Sequence, residues 1–395
     1  MADRMNRRQL LTRALALGCT AAASPVLTPV SFAALPGARR LVVIVLRGAM
    51  DGLDVFRPLG DPHLAALRPN LARENTPLLL DSFFALHPAL SGLMPLWHAG
   101  EMGFVPATST LYRDQRSHFD GQDHLEAGTA GVLPSALQRD GWLNRLVAQL
   151  PGAQARTAFA VGRERMLILE GQAPITQWSP GTDLDLSPQN RLLLSYLFDN
   201  DPLFAQAGQI ALDMTTTGAA KDDDGDDIPA GSDAAGLGRY IAQQLLAEAR
   251  IASFSLTGWD THRDQHRALL PALTRLQDAI LALRDGLGPV WGETTVMAMT
   301  EFGRTARENG ARGTDHGTGG ALLLAGGALR GGRAIGGWPG LADQDLYAGR
   351  DLMPLSDIRA YPAWAMRDLF GLPVSAIERH VFSGLDMGDN PHLFL

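Results

Sequence analysis

The sequence predicts an α/β protein built around a mainly parallel sheet, because its longest apolar runs are unbroken and each gives way to a loop carrying carboxylates and histidines. Arg40–Leu46 (RLVVIVL), Ile251–Leu256 (IASFSL) and Thr295–Met299 (TVMAM) are the runs in question. A strand buried on both faces of a parallel sheet reads as continuous Val, Ile and Leu rather than as an alternation. Open α/β sheets present their ligand sites outside the carboxyl ends of such strands.

The first run continues into Arg47-Gly-Ala-Met-Asp51-Gly-Leu-Asp54, which places Asp51 at the end of the first core strand. Gly48 and Gly52 allow a tight turn or a close approach there. Gly103–Ala107 reads as a second strand, leading into RDQRSHFDGQDHLE over residues 113–126. Ser117 in that stretch precedes a helix start, where a hydroxyl faces the positive end of the dipole and suits a residue attacking or binding an anionic phosphoryl or sulfuryl group. It is equally a preferred N-cap, and Ser117-x-x-Asp120 approaches a capping box. His118, Asp123 and His124 read as surface residues. No G-x-S-x-G elbow surrounds Ser117, which argues against a serine esterase of the α/β-hydrolase kind.

After Ile251–Leu256 comes Thr257-Gly-Trp-Asp260-Thr-His262-Arg-Asp-Gln-His266. Leu269, Leu270, Leu273, Leu276, Ile280 and Leu283 then recur at helical spacing, so Asp260, His262 and His266 occupy a strand-to-helix loop. One Asp and two His within seven residues fit a ligand set, with His262 or His266 as the imidazole. The third run ends in Thr300-Glu301-Phe302-Gly-Arg304, passes through a Gly- and Arg-rich loop, and meets Asp315-His316-Gly317 before a further strand, Ala321–Ala325. Glu, Asp and His are ligands for a Zn-, Mn- or Mg-type centre.

The N-terminus supplies an address. Asn6-Arg7-Arg8-Gln9-Leu10-Leu11, an Ala-rich apolar stretch and Ser31-Phe32-Ala33 follow one another as in a twin-arginine export signal with a small-x-small cleavage site. Residues 1–33 are therefore expected to be removed on passage through the twin-arginine export machinery, leaving 34–395 as a periplasmic or secreted domain. The apolar stretch is too short and interrupted to span a membrane, and no later segment reaches the ~20 apolar residues a span needs. Loss of residues 1–33 removes four arginines and one aspartate, moving the net charge from −8 to −11. That acidic balance excludes nucleic acid as a partner class, since phosphate backbones need a basic face. The one cysteine, Cys19, lies in the signal, so the exported chain holds neither disulfides nor Cys-based metal sites. The remainder is long enough for one α/β domain, with 46% of the sequence apolar. Residues 215–233, centred on Lys221-Asp-Asp-Asp-Gly-Asp-Asp227, read as a solvated acidic flexible loop rather than a calcium site, because they lack the terminal Glu of the familiar calcium loop.

Taken in order behind the twin-arginine signal, RGAMDGLD, RSHFDGQDHLE, GWDTH and TEFGRTARENGARGTDHG resemble domain-of-unknown-function family 1501. By fold that family is placed in the alkaline-phosphatase-like superfamily with the sulfatases and cofactor-independent phosphoglycerate mutases. The resemblance implies a three-layer α/β/α sandwich. It also implies a ligand Asp after the first strand, matched by Asp51, and a Ser nucleophile at a helix start, matched by Ser117. Asp260 with His262 matches the next Asp and His, and His316, beside Asp315, matches the last His. An Asp-His pair common in the superfamily is here Glu301-Phe302. That departure removes one imidazole from a two-metal site and makes Mn or Mg as suitable as Zn, or leaves one metal.

The function these matches imply is metal-dependent hydrolysis or transfer of a phosphate or sulfate ester, small and anionic or attached to a polymer. Asp51, Asp260, His262, Glu301, Asp315 and His316 are the expected metal-site residues around a divalent ion. Ser117 is the expected nucleophile, and Arg47, Arg116 or Arg304 would clamp the non-bridging oxygens. The alternative is a non-catalytic envelope binding or assembly protein that retains a hydrolase-like fold, which the Glu301-Phe302 departure favours.

Overall fold

A computed structural model describes residues 38–73, 76–113, 115–129, 140–161, 166–178 and 234–395. The export signal and the acidic loop at 215–233 lie outside the described residues. Leu35–Leu395 forms one compact unit.

The central sheet has eight strands. In chain order they are β1 (Arg40–Leu46), β2 (Met102–Ser109), β3 (Ala158–Val161), β4 (Thr176–Trp178), β5 (Ile251–Leu256), β6 (Thr294–Met299), β7 (Gly320–Ala325) and β8 (Ser356–Asp357). Their spatial order is β8-β2-β7-β6-β1-β5-β3-β4. β1 is central and pairs in parallel with β5 (Leu46 beside Leu256) and with β6 (Val45 beside Met299). β7 alone runs against its neighbours β6 and β2. A small antiparallel sheet of Phe56–Arg57, Ala85–Leu86 and Leu78–Leu79 sits apart from the main one.

Successive side chains of a strand point to opposite faces, and β1 shows why its run had to be apolar throughout. Val42, Ile44 and Leu46 face one core, packed with α4 (Ala234–Leu246) and α6 (Leu270–Leu287) through Leu237, Ile241, Leu273, Leu276 and Ile280. Leu41, Val43 and Val45 face the other, packed with α3 (Trp142–Gln149) and α7 (Ala360–Phe370) through Trp142, Leu146, Trp364 and Met366. Leu41 to Leu46 are fully buried, so neither face offers room there for a polar residue, and Arg40 at the start of the strand directs its Nε to the Leu245 carbonyl. The result is the three-layer α/β/α sandwich around a mostly parallel sheet that the sequence predicts. No helix among the described residues is long and apolar enough to cross a membrane.

This topology decides where the chemistry sits. Because β7 is antiparallel, its start at Gly320 lies at the same sheet edge as the ends of β1, β2, β5 and β6. The loops after Leu46, Ser109, Leu256 and Met299, and the loop before Gly320, therefore gather at one edge. Every candidate side chain belongs to one of those five loops or to the helix start that follows.

Candidate metal centre

Three imidazoles and one carboxylate converge at that edge. His118 opens α2 (His118–Ala127), which follows the β2 loop. Asp260 and His262 come from the β5 loop, and His316 precedes β7. The Nε2 atoms of His118 and His262 each lie 3.0 Å from Nε2 of His316. Asp260 Oδ1 is 3.0 Å from His262 Nε2 and 3.2 Å from His316 Nε2, while Oδ2 is 3.4 Å from His118 Nε2. His118, Asp260 and His316 form the compact set, with ligand atoms all within 4.8 Å of one another. His262 adds a fourth donor beside two of them.

The outer nitrogens explain why the inner ones point inward. His118 Nδ1 donates to Glu301 Oε1 at 2.8 Å, His262 Nδ1 to Asp315 Oδ1 at 3.1 Å, and His316 Nδ1 to the Arg116 carbonyl at 3.0 Å. Carboxylates and carbonyls only accept, so these partners place the ring proton on Nδ1 and leave a lone pair on each Nε2. Lone pairs facing one another at 3.0 Å, with a carboxylate between them, repel unless a cation or a proton occupies the centre. Imidazoles fixed by an outer carboxylate or carbonyl are the usual environment of metal-ligating histidine.

The electrostatics agree with a centre built for positive charge. Burial pushes the His118 imidazolium down, but hydrogen bonds to Asp260 and Glu301 outweigh it and raise its pKa to about 9. Burial alone would raise Asp260, yet His118, His316 and Arg304 hold its carboxyl well below the usual carboxylate range. Glu301 is fully buried, which by itself raises its pKa; the His118 hydrogen bond and backbone N–H groups including that of Gly48 hold it low. Without metal, His118 thus contributes stability that is fully present below pH ~6.5 and is lost as pH rises through about 9. The metal-free protein should therefore lose melting temperature across that window relative to its His118→Gln variant. Metal loading should abolish the difference and release about one proton near neutrality. Parallel wild-type and His118→Gln curves in chelator would remove His118 from the cluster.

The expected site residues divide into those whose polar atoms meet in the cluster and those that hold them there. Asp260, His262 and His316 are in the cluster, and His266 lies in the following helix, α5 (Gln265–Ala268). Glu301, expected as a ligand, holds the His118 ring instead. Its Oε1 accepts from the backbone N–H groups of Gly48 at 2.9 Å and Ala49 at 3.1 Å as well as from His118. Both Gly48 and Ala49 have positive φ, so two successive N–H groups form a nest over the carboxylate. Gly48 is also where the backbones meet, since a Cβ there would come within 2.7 Å of the Asp260 nitrogen. Asp315 is likewise a support: its Oδ1 accepts from His262 and from Asn309 Nδ2 at 3.1 Å.

Asp51 is occupied elsewhere. It is 1% exposed, caps the short helix α1 (Gly52–Val55) through Leu53 N–H, and pairs with Arg68 Nη1 at 2.7 Å. Gln265 Nε2 donates to the same carboxylate at 2.6 Å. With its oxygens committed to a buried guanidinium, an amide and a cap, it has no role as a metal ligand. The same correction applies to two arginines expected to clamp an anion. Arg47 is held by Glu126 at 2.8 Å and Gln122 at 2.7 Å on α2. Arg304 is buried, donates to Asp260 Oδ1, and binds the Thr314 carbonyl and hydroxyl. Arg304 therefore aims Asp260 rather than meeting a substrate. Ser117 is the N-cap of α2, accepting from Asp120 N–H at 3.4 Å, and its own N–H donates to the Tyr112 hydroxyl.

His118 is the residue that reading the sequence for surface polarity misses. The one signal for it was its place directly after Ser117 at a helix start fed by a core strand. His124, read as surface, is 3% exposed and bonds Thr129. Phe302, at the departure from the superfamily pattern, stacks on His118 with ring centres 5.1 Å apart and lies 5.5 Å from His316. Phe302 thus forms an apolar wall against two of the clustered imidazoles. Among the described residues only one group of His and Asp side chains is placed to hold an ion.

Over residues 106–372 the chain matches a family model described as protein of unknown function (DUF1501). The chain belongs to the DUF1501 family. The match includes His118, Asp260, His262 and His316, so the whole cluster lies within the DUF1501 region. No curated protein matches this chain. Among solved structures it is similar to a protein in the alkaline phosphatase superfamily from Vibrio parahaemolyticus, at 12% identity and a TM-score of 0.36, covering 82% of this chain and 69% of that one. It is also similar to the lipoteichoic acid synthase LtaP from Listeria monocytogenes, at 10% identity and 0.37, covering 93% and 79%. A third is Ps i-CgsB in complex with k-i-k-neocarrahexaose, at 10% identity and 0.45, covering 90% and 78%. All three scores fall below 0.5.

Proposed function

We propose that this protein is a metal-dependent hydrolase or transferase of phosphate or sulfate esters, acting after export. The observation that carries the reading is the convergence of His118, His262 and His316 Nε2 on Asp260, each ring fixed from behind through Nδ1. These four side chains would hold one divalent ion. Three imidazoles shift the choice toward zinc and away from magnesium, which prefers all-oxygen shells. A bound metal supplies Lewis-acid polarisation of a substrate oxygen and lowers the pKa of a bound water or hydroxyl.

The chain's own residues do the rest. Glu301, Asp315 and the Arg116 carbonyl fix the imidazoles, and Arg304 fixes the Asp260 carboxylate by donating to Oδ1, the oxygen that also faces His262 and His316. Phe302 dries one wall, which strengthens the charge interactions of the His118 and His316 rings it touches. We assign Ser117 as the nucleophile: it sits between Arg116 and His118, both of which contact the cluster, at the positive end of a ten-residue helix. Its cap bond of 3.4 Å is long enough to be given up without great cost. The address outside the cytoplasm rests on Arg7-Arg8 and the apolar stretch behind them.

Elemental analysis of the exported protein tests the metal, and a panel of phosphate and sulfate esters tests the chemistry. Ser117→Ala should keep its metal and lose about 1 kcal/mol of stability as a broken cap. Turnover of whichever ester is active should fall at least ~100-fold, as the covalent step is lost. A variant that turns over at the wild-type rate would leave Ser117 as a cap alone.

A further inference from the structure

We infer that Arg116 and Arg350, rather than Arg47 and Arg304, form the oxyanion-binding part of this site, taking the oxygens of a tetrahedral anion presented to the cluster. The inference rests on the metal reading of the cluster and names the residues that would recognise the substrate's charge.

Both arginines are attached to the ligand His316, from its two ends. The Arg116 carbonyl accepts the His316 Nδ1–H at 3.0 Å, and Arg350 Nη1 donates to the His316 carbonyl at 2.9 Å. Both also share one counter-ion. Asp351 is fully buried; its Oδ1 meets Arg350 at 2.9 Å, and its Oδ2 meets Arg116 at 3.5 Å and the Thr318 hydroxyl at 2.9 Å. Two guanidiniums thus share this one buried carboxylate, and the Arg350 charge also acts on the Asp315 carboxylate.

Exposure separates this pair from the other two arginines. Arg116 and Arg350 are each 36% exposed, against 17% for Arg47 and 0% for Arg304. Arg304 is spent on Asp260 and Thr314, and Arg47 on Glu126 and Gln122. Arg116 carries a buried Nε–H that no group among the described residues accepts, and it combines this with an exposed guanidinium end. A buried donor left without a partner is rare and calls for an acceptor from outside. Its backbone has φ +55, an uncommon conformation for a side chain-bearing residue, and the carbonyl of that same residue meets His316. Arg350 also lines a cleft of about 230 Å³ with Arg307, Asn309, Asp315, Glu308 and Asp343, beside the residues that support His262. A guanidinium presents paired N–H groups that match the oxygens of phosphate or sulfate.

The test uses the exported protein loaded with its metal and titrated calorimetrically with inorganic phosphate and, separately, sulfate. Arg116→Gln, Arg350→Gln and a control, Arg367→Gln, are compared with wild type, metal content being measured on every sample. Arg116→Gln is the decisive variant, because the bond to His316 comes from its backbone and survives the substitution. We expect wild type and the control to bind the anion, and both site variants to bind it about ten-fold more weakly or worse. Full metal content with unchanged anion affinity in Arg116→Gln would overturn the inference, as would a metal-loaded wild type that binds neither anion. Absence of metal from wild type would instead overturn the metal reading itself.

Discussion

His118→Ala and His316→Ala are expected to empty the centre, while Asp51→Asn leaves it filled. Structural zinc in small peptides binds with about 10–16 kcal/mol over four ligands, so losing one of four should weaken the site by roughly 100-fold or more. Asp51→Asn has a different target. Arg68 is 1% exposed and its Nη1 relies on Asp51 at 2.7 Å, while its Nε and Nη2 bind the carbonyls of Ala306 and Thr305. Removing the charge leaves a buried guanidinium without its carboxylate, a loss of about 3–5 kcal/mol in stability. Elemental analysis and denaturant unfolding of the three variants would separate the two effects. Stoichiometric metal in His118→Ala, or loss of metal in a folded Asp51→Asn, would invert the assignment of ligand and support.

That contrast shows which part of the architecture is legible in the chain. Arg40–Leu46 and Ile251–Leu256 read as strands to the residue, and Thr295–Met299 within one, because strands covered by helices on both faces hold apolar side chains interrupted only by small hydroxyls, such as Ser253 on the Val43 carbonyl. The loops that gather at one sheet edge follow from the same runs, since a buried parallel sheet leaves only its strand ends for polar side chains. What the chain does not declare is which partner reaches each carboxylate. Asp51, Glu301 and Asp260 all stand at strand ends and are alike in sequence. In space one meets a guanidinium from Arg68, one meets His118, and one meets three imidazoles. Gln265 links two of these worlds. Its Nε2 donates to Asp51 and Asp54, and its Oε1 accepts from Thr261 and Thr314, so the β1 and β5 loops and the loop before β7 share one saturated buried amide. Such a junction has no local pattern, because it is assembled from residues more than 200 positions apart. His118 stayed hidden for the same reason: a polar residue at the first turn of a helix looks solvated until the strand end opposite brings up Glu301.

Glu301→Ala should be the most damaging of the support substitutions, and more so than loss of a ligand. The carboxylate is fully buried and accepts from the Gly48 and Ala49 N–H groups, His118 Nδ1–H and the Thr300 hydroxyl. Alanine leaves the Gly48, Ala49 and His118 donors facing a cavity, each unsatisfied buried group costing about 1–3 kcal/mol, while the Thr300 hydroxyl keeps the Leu46 carbonyl. The positive φ of Ala49 also loses the contact that holds it. We expect a fall of about 4 kcal/mol or more in stability, and metal affinity reduced by at least 10–100-fold because His118 is no longer aimed. Glu301→Gln is the informative partner: it keeps the shape and one acceptor oxygen, so the fold should survive with a loss of about 1–3 kcal/mol. Its amide can no longer neutralise a cation through His118, and metal should still bind roughly ten-fold more weakly. If Glu301→Gln unfolded as readily as Glu301→Ala, the nest would depend on the charge itself. If it held metal at wild-type affinity, Glu301 would serve the fold and not the centre.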